Sequence, residues 1–198
     1  MSFVLASMSA TRRAMLDAAG IPHDAIPSGL DEEAAKAALA GEKLKPRDLA
    51  DALAEMKAMR AATRVGGAMV LGGDSVVALA DGTVLDKPVD RADAAAHLRA
   101  LSGGRHDLFS AAVFVEGGRP VWRHIGHAKL TVRPLSDAFI DRYLDAEWPA
   151  IAGCVGCFRI EGPGVQLFDR IDGDHWTILG MPLLEIARYL RQRGILPA

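Results

Sequence analysis

The period of apolar and polar positions changes several times along the chain, and each change predicts an element. Phe3 to Leu5 is a short apolar run that reads as a strand, and Ala14 to Gly20 follows as a helix closed by a C-terminal glycine. A charged helical stretch runs from Asp31 to Ala40, breaks at Gly41 and resumes after Pro46. In the second helix, Arg47 to about Thr63, residues Leu49, Leu53, Met56 and Met59 recur at helical spacing and predict a core-facing stripe. Ala68 to Ala80 is strand-like but interrupted by Gly72-Gly73-Asp74, and Asp81-Gly82 predicts a hairpin turn into Thr83-Val84-Leu85. Ala92 to Leu101 reads as a helix closed by Ser102-Gly103-Gly104. Leu108 to Val115 and Arg119 to Val132 read as two long strands around Gly117-Gly118. Ser136 to Asp145 is a helix with Ser136 as its N-cap. A glycine-rich segment, Gly153 to Gly164, leads into Val165-Gln166-Leu167-Phe168, and a last helix runs from just after Pro182 to Arg193. Strands mixed with helices, joined by both crossovers and tight hairpins, predict an α/β fold with a mixed sheet.

Composition narrows the partners. With 198 residues, 50% of them hydrophobic, the chain can bury a core in one domain or two small lobes. A net charge of −2 supplies no basic face, so no nucleic-acid partner is expected. No run of about twenty apolar residues predicts a membrane span. Met1-Ser2-Phe3-Val4 lacks the basic region and apolar core of a signal peptide. Two cysteines make no disulfide framework, and a reducing cytoplasm is the expected location.

Several residues could carry chemistry. In Leu5-Ala6-Ser7-Met8-Ser9-Ala10-Thr11-Arg12-Arg13, small hydroxyls and adjacent arginines sit where a strand turns into a helix. Unpaired backbone N–H groups and the helix dipole favour an anion there, and arginine adds a planar fork for phosphate; the alternative is a solvated face. Asp74 lies in the apolar run Val70-Leu71-Gly72-Gly73-Asp74-Ser75-Val76-Val77, as a general base or metal ligand, or as a carboxylate capping neighbouring backbone. Its glycines allow a bulge or the close approach of a ligand. Lys57 and Lys87 are either a cationic complement or solvated surface charges, and Pro88 holds the Lys87 backbone extended. Glu32, flanked by Asp31 and Glu33, opens a helix, where an acid is favoured by the dipole in any case. Cys154-x-x-Cys157 has no second pair to complete a zinc site and no thioredoxin-like setting. The histidines lack metal spacing, and there is neither a Gly-x-Ser-x-Gly elbow nor a Walker-type loop.

Taken in order, Ser-x-Ser-x-x-Arg-Arg, Asp31-Glu32, Lys57-Ala58, Gly72-Gly73-Asp74-Ser75, Asp86-Lys87-Pro88, Leu101-Ser102-Gly103, Cys157-Phe158-Arg159-Ile160-Glu161-Gly162 and Ile171-Asp172-Gly173-Asp174 with Gly180-Met181-Pro182 form a set. It resembles the Maf family of nucleoside triphosphate pyrophosphatases from about Phe3 to about Arg193. The resemblance implies a single domain over residues 1–198, with two lobes around a cleft on a long curved sheet similar to that of the inosine triphosphate pyrophosphatases. It implies hydrolysis of a nucleoside triphosphate to the monophosphate and pyrophosphate, with Mg²⁺ or Mn²⁺ as cofactor. Asp74 would be the proton acceptor that activates water, and Glu32 a metal ligand beside it. Ser7, Ser9, Arg12, Arg13, Lys57 and Lys87 match positions that hold the triphosphate. A homodimer is left open.

The family splits by base preference. The thymidine/uridine branch resembles Ser-Pro-Arg-Arg, Gly-Ala-Asp-Thr and Gly-Ile-Gln-Gly. The 7-methylguanosine triphosphate branch resembles Ser-Pro-Trp-Arg-Arg, Gly-Ser-Asp-Gln and Ser-Phe-Lys-Ser-Glu-Gly. The Ser-x-x-Arg-Arg spacing and Glu161 are closer to the second branch, whereas Thr11 and Ser75 match neither. A carboxylate only accepts hydrogen bonds, and the N1–H and N2–H₂ edge of guanine donates. Glu161 therefore predicts a guanine-type base, with 7-methyl-GTP as first candidate. The alternatives are a dTTP/UTP pyrophosphatase, a nucleotide-binding regulatory module without turnover, and a Cys-x-x-Cys redox protein.

Overall fold

Small residues decide how the central strand of this protein packs. A computed structural model describes residues 2–197; Met1 and Ala198, which fall within the expected leaderless start and domain span, lie outside the described residues. The strands are β1 (Phe3–Leu5), β2 (His23–Ala25), β3 (Val70–Leu79), β4 (Val84–Leu85), β5 (Arg105–Glu116), β6 (Arg119–Val132) and β7 (Phe168–Asp172). The helices are α1 (Ala10–Ala18), α2 (Glu32–Ala40), α3 (Pro46–Ala62), α4 (Arg91–Leu101), α5 (Asp137–Glu147), α6 (His175–Leu179) and α7 (Leu183–Gln192). The sheet runs β2-β1-β3-β5-β6-β7, with β4 also paired to β3. β1 is parallel to β2 and to β3, whereas β3–β4 and β6–β7 are antiparallel, so the fold is α/β with a mixed sheet. Among the described residues, no helix is long and apolar enough to cross a membrane.

The chain divides into two compact units. The first comprises the residues up to Ser75, Phe109–Gly126, and those from Asp174 onward. Its core gathers Phe3, Leu5, Leu16, Leu71, Phe114 and Ile186. Phe114 meets Phe3 edge-on at 5.3 Å, and Trp122 stacks on Tyr189 at 5.1 Å. On α7 the buried Leu183, Ile186, Tyr189 and Leu190 form one apolar stripe at helical spacing.

Three expectations are corrected in this unit. Helix α1 starts at Ala10 rather than Ala14, because Ser9 caps it by accepting from the Arg12 backbone N–H. The buried face of α3 is Ala50, Leu53, Ala54, Lys57, Ala58 and Ala61; Leu49, Met56 and Met59 are only half-buried. The glycines do not interrupt β3 but let α3 lie against it. A Cβ on Gly72 would sit 2.1 Å from the Ala54 carbonyl oxygen and 2.7 Å from the Ala58 nitrogen. The longer side chains of the predicted stripe could not fit at so short a separation. Strand β2 and the five-residue α6 carry too short a pattern to be predicted; α6 is capped by Asp174, which accepts from the Thr177 backbone N–H.

The second unit comprises Val76–Leu108 and His127–Gly173. Here α4 packs on α5; Ser136 caps α5 as its sequence suggests, and Asp90 caps α4 by accepting from the Asp93 backbone N–H. Leu98, Leu101, Ile140, Leu144 and Ile151 are fully buried in it.

Candidate active site

Successive side chains of a strand point to opposite faces, and β3 uses both. Gly72 and Asp74 face α3. Lys57, on the small-residue face of that helix, places its Nζ 2.6 Å from Asp74 Oδ1 and 2.8 Å from Glu32 Oε1. Lys57 is 6% exposed and Asp74 8%, so neither charge can be left unpaired without a large desolvation cost. Glu32 is the first residue of α2, whose cap is Asp31, accepting from the Ala34 backbone N–H. Two carboxylates from separate elements thus converge on one ammonium.

Gly73 and Ser75 face the other way. With no side chain on Gly73, the Arg12 guanidinium can lie across the strand; a Cβ there would come 3.4 Å from Arg12 Nε. Arg12 Nε donates to the Gly180 carbonyl at 2.9 Å and Nη2 donates to Ser75 Oγ at 3.0 Å. Ser75 Oγ is 2.9 Å from Ser110 Oγ, and Ser110 donates to the Thr177 carbonyl at 2.7 Å. Burial pushes the Arg12 pKa below its ordinary value, while the charges of Asp74 and Glu32 push it back up. In the strand-to-helix turn, buried Ser7 accepts from the Ser9 backbone N–H at 3.2 Å. Thr11 and Arg13 are half-buried in the first turn of α1, and Arg13 Nε is a buried donor with no protein partner.

Ser7, Ser9, Thr11, Arg12, Arg13, Glu32, Lys57, Asp74 and Ser75 all belong to the first unit; Lys87 and Glu161 belong to the second. Lys87 and Glu161 are both exposed. Within the second unit, buried Glu147 accepts from Arg159 through both oxygens, at 2.9 and 3.0 Å, and this pairing raises the Arg159 pKa. The Glu161 charge raises the pKa of Arg159 further. The same charge raises the Cys154 thiol, already pushed up by burial, and Lys87 lowers it. Burial pushes Cys157 up to about 12, so both cysteines are thiols rather than reactive thiolates at neutral pH.

A family model described as "Maf-like protein" matches residues 2–193. The chain belongs to the Maf family. A relative named nucleoside triphosphate pyrophosphatase, from Sphingopyxis alaskensis, is 51% identical over 197 residues, covering 100% of both chains. One named 7-methyl-GTP pyrophosphatase, from Rhizobium meliloti, is 45% identical and covers 98% of both. Among solved structures, a dITP/XTP pyrophosphatase from Mycobacterium abscessus is similar at a TM-score of 0.46 and 15% identity, over 100% of this chain and 98% of that one.

Two features of the candidate site emerge only in three dimensions. The positive charge of Lys57 is shared by two carboxylates, and two donors of Arg12 serve protein acceptors. Sequence reasoning also misses Ser110, Thr177, Gly180 and the Glu147–Arg159 pair. The one signal for Ser110 is a hydroxyl inside the apolar run Leu108-Phe109-Ser110-Ala111. Nothing local marks Gly180 as an acceptor for a residue 168 positions away.

Proposed function

We propose that the protein is a nucleoside triphosphate pyrophosphatase that converts a triphosphate and water to the monophosphate and pyrophosphate. The observation that carries the proposal is the Glu32–Lys57–Asp74 arrangement on one face of β3. A general base must be held in place with its lone pairs available, and Lys57 holds Asp74 through Oδ1. Asp74 would take the proton of the attacking water as the oxygen approaches the α-phosphorus. A module that only binds nucleotides gains nothing from a buried carboxylate beside an anionic chain. Full-length relatives bearing this activity in their names support the same reading.

The donor set fits a hard divalent cation. Glu32 and Asp74 both place an oxygen within 2.8 Å of one ammonium, a position of negative potential. Mg²⁺ and Mn²⁺ are commonly held by one or two carboxylates together with substrate oxygens and waters. When bound, the ion would supply charge compensation to the phosphate oxygens, and Glu32 and Asp74 would be its protein ligands. Arg13 Nε, buried without a partner at the first turn of α1, would donate to the phosphates. Of the bases, 7-methylguanine is the preferred candidate. Glu161 only accepts hydrogen bonds, and the positive charge of the methylated ring strengthens a pair with a carboxylate.

Incubation of the purified protein with a panel of triphosphates and Mg²⁺ or Mn²⁺ tests the proposal by separating monophosphate, diphosphate, pyrophosphate and orthophosphate. Monophosphate and pyrophosphate in equal amounts are expected. Diphosphate with orthophosphate would place the scissile bond elsewhere, and no turnover with any triphosphate would overturn the activity. A preference for dTTP or UTP over 7-methyl-GTP would overturn the base assignment alone.

A further inference from the structure

Cys154 and Cys157, which take no part in the site above, are the two ends of a single turn. The Cys157 backbone N–H donates to the Cys154 carbonyl at 3.2 Å, and Gly156 between them has φ +80°. Such a turn brings its end Cα atoms within about 7 Å of each other, which overlaps the range that a disulfide spans. Cys157 itself stands at φ +59°, a left-handed conformation that a cysteine adopts at a cost. Two bonds hold its backbone there, the turn bond and one from Tyr143 Oη, which donates to the Cys157 carbonyl at 3.0 Å. The residue so held carries a partnered thiol. Cys157 Sγ lies 3.5 Å from His97 Nδ1, and His97 Nε2 lies 3.6 Å from Asp93 Oδ1. A carboxylate facing Nε2 favours the tautomer with its proton there, which leaves the Nδ1 lone pair toward the sulfur. Asp93 is anchored in turn, accepting from the Val89 backbone N–H through Oδ2 at 3.0 Å. Thiol, imidazole and carboxylate thus stand in the order of a nucleophile, its base and the group that orients the base.

From this geometry we propose that Cys154 and Cys157 are a thiol-oxidation site. A small-molecule disulfide such as oxidised glutathione converts them to an internal disulfide, with His97 as the base for Cys157 and Asp93 as its positioning residue. Exposure sets the order of events. Cys157 is completely buried and Cys154 half-buried, so the oxidant meets Cys154. Cys154 gives its proton to solvent, its sulfur attacks one glutathione sulfur, and the S–S bond of the oxidant breaks to release a first glutathione. Cys157 then passes its proton to His97 Nδ1 and attacks Cys154 Sγ. The mixed disulfide breaks, and a second glutathione leaves and takes up that proton. Two protein thiols are oxidised, and one disulfide is reduced to two thiols. Burial raises the pKa of both cysteines, so neither is a standing thiolate at neutral pH. A base in contact counts most in that case, because it removes the proton as the new bond forms. The imidazolium that results faces Asp93, which compensates its charge. This site goes beyond the pyrophosphatase chemistry and uses none of the residues assigned to it.

The test incubates the reduced full-length protein with oxidised glutathione at about pH 8, near the ordinary thiol range, and reads alkylated products by mass spectrometry over time. Wild type is expected to lose both thiols, to end without bound glutathione, and to regain both thiols with dithiothreitol. Cys157→Ser should stop at a glutathione adduct on Cys154, and Cys154→Ser should stay unmodified because Cys157 is shielded. Decay of the adduct isolates the second step. His97→Gln should slow that decay at least about 10-fold while the adduct forms at the wild-type rate. Asp93→Asn, which keeps the shape and removes the charge, should slow the same step by a smaller factor. An unchanged first step, with Cys157 protected from iodoacetamide before oxidant is added, shows that each variant is folded. No reaction in wild type, or an adduct that persists beside a free Cys157, would overturn the disulfide. Glutathione on Cys157 in Cys154→Ser would overturn the order of attack. Equal decay in wild type and His97→Gln would overturn the base, and equal decay in Asp93→Asn would remove the carboxylate from the relay. Thiol content is read without a nucleotide, so failure of the pyrophosphatase reading leaves these outcomes unaffected.

Discussion

Two buried carboxylates, one in each unit, are treated in opposite ways. Glu147 is 3% exposed and gives both oxygens to Arg159, in the planar fork geometry that engages each oxygen of a carboxylate. Asp74 is 8% exposed and is engaged by Lys57 through Oδ1, and that lysine is shared with Glu32. The first arrangement closes a charge off and ties the segment after α5 back to the helix that precedes it. The second holds a carboxylate in place by a point charge, with a further carboxylate beside it. Burial alone does not distinguish these two acids; the number of oxygens committed and the identity of the partner do. The second unit adds His106, 1% exposed between Phe158 and Phe168, with both ring nitrogens lacking a partner. Its polar atoms are carried by the packing rather than used.

The comparison breaks most sharply at Asp74. Asp74→Asn can still accept from Lys57 but cannot take a proton from water, so turnover should fall about 10²- to 10⁴-fold with the melting temperature nearly unchanged. Wild-type rates in this variant would remove Asp74 from the chemistry. Next in size is Gly72→Ala. Its Cβ would press on the Ala54 and Ala58 backbone, which cannot move without shifting α3. A loss of about 3 kcal/mol is expected in denaturant unfolding, with turnover per folded molecule impaired because Lys57 moves with the helix. Gly73→Ala, whose nearest contacts are at 3.4 Å, should unfold closer to wild type; equal losses would mean that α3 does not sit as described.

A third prediction concerns pH. Burial lowers the His106 pKa from 6.5 to about 4. Between those values the unfolded chain binds a proton that the folded imidazole refuses. The stabilisation is therefore fully present above about pH 6.5 and is lost as pH falls toward about 4, by about 3 kcal/mol in all. Unfolding free energies of wild type and His106→Phe measured from pH 4.5 to 7.5 should differ in slope over this window, and parallel curves would contradict a buried neutral His106. The smallest effect is expected from Glu147→Gln. It weakens the pair with a partly exposed arginine and should cost about 1.5 kcal/mol of stability, with kcat/KM per folded molecule held within about threefold of wild type. A kinetic loss as deep as that of Asp74→Asn would erase the distinction between the two acids.

Much of this was legible in the residues. The helices α2, α4, α5 and α7 and the β5 and β6 strands follow from periodicity and capping residues, and family membership follows from the order of the motifs. Legibility ended where a contact depends on how closely two elements approach. The apolar pattern of α3 puts Leu49, Met56 and Met59 in the core, because periodicity identifies a face by hydrophobicity and carries no information about the distance to the neighbouring strand. The alanine face that replaced them was equally visible in the sequence, but only Gly72 beneath it makes it the contact surface. Similarly, Asp74 stood out as a carboxylate in an apolar strand, whereas its sharing of Lys57 with Glu32 did not.

By itself, then, the sequence determined which side chains are available and in what order, together with the local elements whose signals lie within a few residues of one another. Tertiary structure decided what each polar group spends its hydrogen bonds on. Residues 12, 75, 110, 177 and 180 become one hydrogen-bonded chain only when α1, β3, β5 and α6 pack together. The physical reason is that a hydroxyl or a lysine has a fixed number of protons and lone pairs but no intrinsic partner, and the partner is set by distances of about 3 Å that span most of the chain.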